Sequence, residues 1–181
     1  SILGETLGVE PGQVRFVYGE RGKPELAEPF ARSGVRFNLS HSAGLALCAL
    51  TEERRIGVDI ERVRPLADLE RLADLTFSPR ERAAIRRLAP EFRHEAFFNC
   101  WTRKEAYIKA IGEGLAHPLD RFSVSLVPGA PARLECVDDD PAEAKAWMLE
   151  ALAPSPGYTA AVIVEGHPER IVCETWPEDV R

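Results

Sequence analysis

The spacing of apolar and polar positions changes several times along this chain, and each change predicts an element. Residues 1–8 carry apolar side chains at helical intervals and stop at Gly8. They lack a start signal such as a capping residue with its upstream staple, so the chain is expected to enter partway through a helix, with upstream sequence missing. Residues 13–18 alternate towards a strand, and Gly19-Glu20-Arg21-Gly22-Lys23-Pro24 reads as a hairpin-like loop. A strand over 35–42 ends in a polar turn, and a second, apolar strand follows over 45–50. Alternation is strictest over 56–61: Ile56, Val58 and Ile60 face a core, while Gly57, Asp59 and Glu61 share the opposite face, with Gly57 expected to leave open space beside the carboxylates. A loop over 62–75 leads into a short helix, and Ser78-Pro79-Arg80-Glu81 opens another with a cap, a proline at N1 and a glutamate at N3. The longest helix is predicted over 91–111. Phe97, Trp101, Ile108 and Ile111 form its apolar stripe, Glu105 and Lys109 lie one turn apart on the shoulder, and Gly112 and Gly114 stop it. Beyond Asp120, strands are predicted at 121–127, 133–137, 146–152, 158–165 and 170–175, as an antiparallel sheet built after the helices. A charged turn at 51–55 divides the chain into halves, 1–55 and 56–181.

Composition narrows this picture. A chain of 181 residues, 45% hydrophobic and 29% charged, can bury a sizeable core as one globular unit or two small lobes. A net charge of −6 argues against nucleic acid or an anionic membrane as partner, so an anionic ligand must be met by local positive charge. No apolar run approaches membrane-spanning length and no secretory leader is visible, which makes the cytoplasm the expected setting. Cys48, Cys100, Cys136 and Cys173 are widely spaced without a Cys-x-x-Cys pair, signalling neither a zinc site nor a disulfide framework. Arginines far outnumber lysines, yet Lys23, Lys104 and Lys109 all fall inside the stretches that carry candidate chemistry.

Three such stretches stand out. Asp59 and Glu61 lie about 7 Å apart on one strand face, where two carboxylates repel; either the face is solvated or a cation sits between them. Glu105 and Lys109 form a surface ion pair or part of a site. Ser40, His41 and Ser42 cluster hydrogen-bonding groups that could grip a phosphate. A Ser–His nucleophile pair is disfavoured there, since neighbours in a strand point to opposite faces. Lys104 falls within the apolar stripe, so it is expected to pair with a buried carboxylate or carbonyl.

Taken in order, Gly22-Lys23-Pro24, Phe37-Asn38-Leu39-Ser40-His41-Ser42, Gly57-Val58-Asp59-Ile60-Glu61 and Trp101-x-x-Lys104-Glu105-Ala106-x-x-Lys109 closely resemble the 4'-phosphopantetheinyl transferases of the larger, surfactin-synthetase-activating type. The resemblance spans nearly the whole chain. It implies an α+β fold, a pseudo-twofold pair of α+β halves with coenzyme A in the cleft between them. It also implies transfer of the phosphopantetheine arm of coenzyme A to a carrier-protein serine, with magnesium, releasing 3',5'-ADP. Asp59, Glu61 and Glu105 would then be the metal ligands, an all-oxygen set that suits a hard cation. Glu105 and Lys109 would be catalytic, Glu105 as base, ligand or both, and Lys109 also as a phosphate contact. Lys23, Ser40 and His41 would hold the 3'-phosphate end of coenzyme A.

The resemblance leaves two matters open. Family members carry further basic residues upstream that help bind the 3'-phosphate, and the first half here looks short. Two other activities share these features: a non-catalytic magnesium- and nucleotide-binding module, and a hydrolase of the coenzyme A pyrophosphate. For a transferase acting as a monomer on an acidic apo-carrier protein, the docking surface is expected at Arg62, Arg64 and Arg71, interspersed with Leu66, Leu69 and Leu72.

Overall fold

A computed structural model describes residues 1–114, 117–138 and 140–176. In chain order the elements are α1 (Ile2–Leu7), β1 (Phe16–Tyr18), β2 (Pro24–Leu26), β3 (Val35–Ser42), β4 (Leu45–Glu52), β5 (Ile56–Arg62), α2 (Leu69–Thr76), α3 (Pro79–Arg87), α4 (Pro90–Ile111), β6 (Phe122–Val124), β7 (Leu134–Val137), α5 (Pro141–Ala144), β8 (Trp147–Leu152) and β9 (Tyr158–Glu165). The class is α+β. Among the described residues no helix is long and apolar enough to cross a membrane.

Strand β5 lies at the centre. On one edge it pairs antiparallel with β9, which sets Asp59 opposite Ala161 and Glu61 opposite Thr159, and β8 extends the sheet beyond β9. Its other edge faces β3 without a backbone ladder. There Asn38 Oδ1, Ser40 Oγ and Ser42 Oγ accept the backbone N–H groups of Val58, Ile60 and Arg62 at 2.8, 3.3 and 3.2 Å. A strand edge presents N–H groups at every second residue, and alternate side chains of a neighbouring strand recur at the same interval. The polar alternation Asn38, Ser40, Ser42 therefore satisfies an edge that would otherwise be bare. Strand β3 turns into β4 through Ala43 and Gly44, both at positive φ (45° and 91°), a two-residue hairpin. The Tyr158 hydroxyl donates to Ala43 O at 2.6 Å and ties this turn to β9.

Helix α4 crosses β5 and β9 on the carboxylate face of the sheet. Gly57 is where it comes closest: a Cβ there would lie 2.0 Å from Ala106 O and 2.6 Å from Ala110 N. The open space expected beside Gly57 is thus filled by helix backbone, and glycine is required for the approach. The far face of the sheet packs Ile56, Val58, Val162 and Val164 with Leu47 and Ala49 of β4. Both faces of β5 are covered, which rules out the solvated-face reading of Asp59. Helix α4 itself is buried on nearly every side from Ala96 to Ile108, and its half-exposed positions, Trp101, Glu105 and Lys109, recur every fourth residue along one open line.

Several local expectations change. Ser1 caps α1, its side chain accepting from Gly4 N at 3.2 Å. Among the described residues the strands after α4 form two sheets rather than one: β6 pairs only with β7, while β8 and β9 join β5. Residues 170–175 form no strand; Ile171 packs against the core, but Val172 is exposed. Alternation there defines a face without supplying a partner strand.

Candidate active site

Asp59 is held on β5 at 4% exposure, on the face that α4 covers. Its Oδ1 receives Lys109 Nζ at 2.6 Å and Ser40 Oγ at 2.8 Å, and its Oδ2 is buried with no hydrogen-bond partner. Lys109 also donates to Ser40 Oγ at 3.0 Å and to Val58 O at 3.3 Å. One turn earlier on α4, Glu105 has a buried Oε1 with no partner. Two residues along β5, Glu61 Oε2 accepts from Ser42 Oγ at 2.8 Å. The strand contributes two carboxylates, the helix contributes a third and an ammonium, and β3 holds both strand carboxylates through hydroxyls.

Electrostatics agree with a site that carries excess negative charge. Burial raises the pKa of Asp59, and Lys109 only partly offsets this. Burial and the neighbouring Asp59 push Glu105 up from the ordinary range near 4.5 to about 7, with Lys109 opposing and Glu61 adding to the rise. A half-buried carboxyl held near neutrality beside other acidic groups is suited to proton transfer.

The donor set fits a hard cation: oxygen ligands, excess negative charge, and two buried carboxylate oxygens that nothing else satisfies. Among the described residues no three His, Cys, Asp or Glu side chains come together as a group that could hold a metal ion, so Asp59, Glu61 and Glu105 are not assembled as a three-ligand set, and Lys109 is the cation on Asp59. Magnesium characteristically takes one or two carboxylates and completes its shell with substrate phosphates and water, so a closed protein cage is not required. Asp59 and Glu105 are the residues whose free oxygens would hold it, with Glu61 beside them.

The remaining sequence candidates are placed differently. Lys23 Nζ caps the end of α4, donating to Lys109 O at 2.6 Å, Ala110 O at 3.2 Å and Ile56 O at 3.5 Å. Burial lowers its pKa. His41 is exposed on β3. Lys104, expected to find a buried partner, forms an ion pair with Glu81 at 2.9 Å. Sequence reasoning read Glu81 only as the N3 member of a capping box and missed this pairing. It also missed the grip of Ser42 on Glu61 and of Ser40 on Asp59. The signal was available in the matched alternation of Asn38, Ser40, Ser42 with Val58, Ile60, Arg62. At the expected docking surface, Arg62, Arg64 and Arg71 are exposed, while Leu66 and Leu69 belong to the core. The apolar side chains that face outward there are Leu72 and Leu75.

Comparison with known proteins gives a consistent result. The profile of the 4'-phosphopantetheinyl transferase superfamily matches residues 55–163. The 4'-phosphopantetheinyl transferase HetI of Nostoc sp. is 50% identical over 166 residues, which are 92% of this chain and 67% of HetI. The 4'-phosphopantetheinyl transferase Sfp of Bacillus subtilis is 31% identical over 181 residues, 99% of this chain and 73% of Sfp. Both relatives are longer than the part matched. A crystal structure of the Thermotoga maritima holo-(acyl-carrier-protein) synthase overlaps 62% of this chain and 63% of its own, with 20% identity and a TM-score of 0.48.

Proposed function

Because the chain belongs to the 4'-phosphopantetheinyl transferase superfamily, we propose that it transfers the phosphopantetheine arm of coenzyme A to a serine of an apo-carrier protein. The observation that carries this reading is the convergence of Asp59, Glu105 and Lys109, with two carboxylate oxygens left unsatisfied in a buried setting. Coenzyme A is assigned to the seam between the halves 1–55 and 56–181, beside the open line of Glu105 and Lys109 where β3 meets β5. The serine oxygen forms a bond to the phosphorus that bears the pantetheine arm; the bond from that phosphorus to the bridging oxygen breaks, and 3',5'-ADP leaves. Magnesium, when bound, neutralises the pyrophosphate charge. Glu105 receives the serine proton, directly or through water. Lys109 swings from Asp59 towards the phosphates and balances charge on the leaving group. His41, exposed beside Ser42 at the Arg62 end of β5, is assigned to the 3'-phosphate; Lys23, assigned with it, sits at the Ile56 end, and its ammonium must leave the carbonyls of α4 to reach the same group.

Incubation with coenzyme A, magnesium and an apo-carrier, followed by carrier mass, tests the assignment. The expected result is a carrier heavier by the phosphopantetheine arm and release of 3',5'-ADP that depends on the carrier. Release without a carrier would make this a pyrophosphate hydrolase, and coenzyme A binding with neither product would make it a binding module.

The raised pKa of Glu105 adds a metal-linked proton. A cation must displace the proton held up to about pH 7, so magnesium affinity is expected to rise with pH to about 7 and level off above it. Calorimetry at pH 6 in buffers of different ionisation enthalpy should show proton release on metal binding. Binding that releases no proton would take Glu105 out of the ligand set.

The carrier is assigned to the surface of Arg62, Arg64 and Arg71, with Leu72 and Leu75 as its exposed apolar contacts. An acidic carrier approaching an acidic enzyme needs such local positive charge. Arg64→Glu with Arg71→Glu is expected to raise the carrier's KM about tenfold at low salt and to flatten its salt dependence, leaving coenzyme A binding unchanged. An unchanged KM and salt response would move the footprint to the other side of the cleft.

A further inference from the structure

Two serine hydroxyls on β3 are each bonded twice to β5 in the same pattern. Ser40 Oγ donates to Asp59 Oδ1 at 2.8 Å and accepts from the next backbone N–H, Ile60, at 3.3 Å. Ser42 Oγ donates to Glu61 Oε2 at 2.8 Å and accepts from Arg62 N at 3.2 Å. Asn38 makes the same bridge to Val58 N at 2.8 Å, but the residue before Val58 is Gly57, which offers no carboxylate. The ladder thus has three rungs, and two of them also orient an acidic side chain.

A serine Oγ has one proton to donate and two lone pairs to accept with. Ser40 spends its proton on Asp59 and both acceptor sites on Ile60 N and Lys109 Nζ. To donate to a phosphate, its hydroxyl would have to release Asp59. That saturation sets it against the phosphate-holding role that resemblance implies.

We propose that Ser40 and Ser42 are positioning residues: their hydroxyls aim Asp59 and Glu61 at the cation position while fixing the register of β3 against β5. The inference rests on reading these carboxylates as metal-facing. It makes the geometry of the site depend on how the two parts of the chain are joined, since the acids belong to β5 and the groups that aim them belong to β3. A carboxylate held by a hydroxyl on one oxygen presents the other in a fixed direction, which is how outer hydrogen bonds raise metal affinity.

The test uses Asn38 as the internal comparison. Manganese affinity is measured by paramagnetic resonance on the full chain with coenzyme A present, alongside melting temperature. Ser42→Ala is expected to weaken manganese binding about tenfold, within the range seen when a partner of a metal ligand is removed. Ser42→Thr, which keeps the hydroxyl, should recover most of it. Asn38→Ala should lower the melting temperature without changing manganese affinity. Equal affinity in Ser42→Ala and the parent, or an equal loss in Asn38→Ala, would reduce the serines to ordinary packing and overturn the proposal. If the parent itself binds no metal and transfers nothing, the transferase reading fails separately. Crystal structures of the parent and Ser42→Ala then decide the positioning role: a Glu61 carboxylate displaced in the variant supports it, and an unmoved one overturns it.

Discussion

Glu105→Gln is expected to reduce carrier modification by on the order of a hundredfold or more while leaving the fold and coenzyme A binding in place. The substitution preserves volume and shape but removes the charge, so it abolishes a base and weakens a metal ligand without opening a cavity. The pH response supplies a second, independent readout. The folded-state pKa of Glu105 lies at about 7, above its ordinary value near 4.5. A carboxyl raised in this way favours the folded state when protonated, and that contribution is present below about pH 4.5 and is lost as pH rises through about 7. Glutamine carries no such charge. The metal-free variant is therefore expected to be less destabilised than the parent between pH 5 and pH 8, even as activity disappears. A melting temperature that falls equally in both proteins over that interval would mean that Glu105 is not strained in the site. Transfer within threefold of the parent would remove it from the chemistry altogether. Increased magnesium should not restore the variant, because a missing base is not replaced by metal.

How much of this site was legible beforehand follows from what local pattern can encode. The carboxylates of β5 and the Glu105–Lys109 turn were visible, because strand alternation and helical spacing place residues on faces within one element. The buried state of Asp59 was not, since it depends on a helix arriving some forty residues later in the chain, and Gly57 was misread for the same reason. A glycine beside two carboxylates leaves room, and sequence does not say that backbone of α4 fills it. Strand β9 was predicted with its correct limits, yet its pairing with β5 rather than only with the other strands after α4 is a long-range choice. Lys23 shows the same limit. Its motif marks a loop and a charge, but only the fold reveals that its ammonium closes the C-terminal carbonyls of α4 beside Lys109. In each case the element was readable and its partner was not.

Lys104→Met is expected to be the most destabilising single change outside the site, by about 3–5 kcal/mol, and the reason is what it leaves behind. The Lys104 ammonium is fully buried, 2.9 Å from Glu81 Oε2, and donates to Leu119 O at 2.6 Å and Phe122 O at 2.5 Å, with the Phe122 ring centroid 4.2 Å away. Glu81 in turn accepts Val124 N and Ser78 N, each at 2.8 Å. Methionine would fill much of the volume but strand a buried carboxylate and two carbonyls. For a chain of this size the melting temperature should fall by on the order of 10 °C. Replacing both partners, Glu81→Leu with Lys104→Met, should recover part of that loss, because the uncompensated charge is gone, although the freed N–H and C=O groups limit the recovery. The pair joins the start of α3 and the β6 strand to the residue immediately before Glu105, so it also sets the rotation of α4 about its axis. A folded double variant is accordingly expected to keep coenzyme A binding but to lose turnover more than binding, as the Glu105 carboxylate is no longer held to one azimuth over β5. Chemical denaturation of the two single variants and the double variant measures the coupling directly. A single variant that loses less than about 1 kcal/mol would show that water reaches Glu81 and that the pair is not the clamp described.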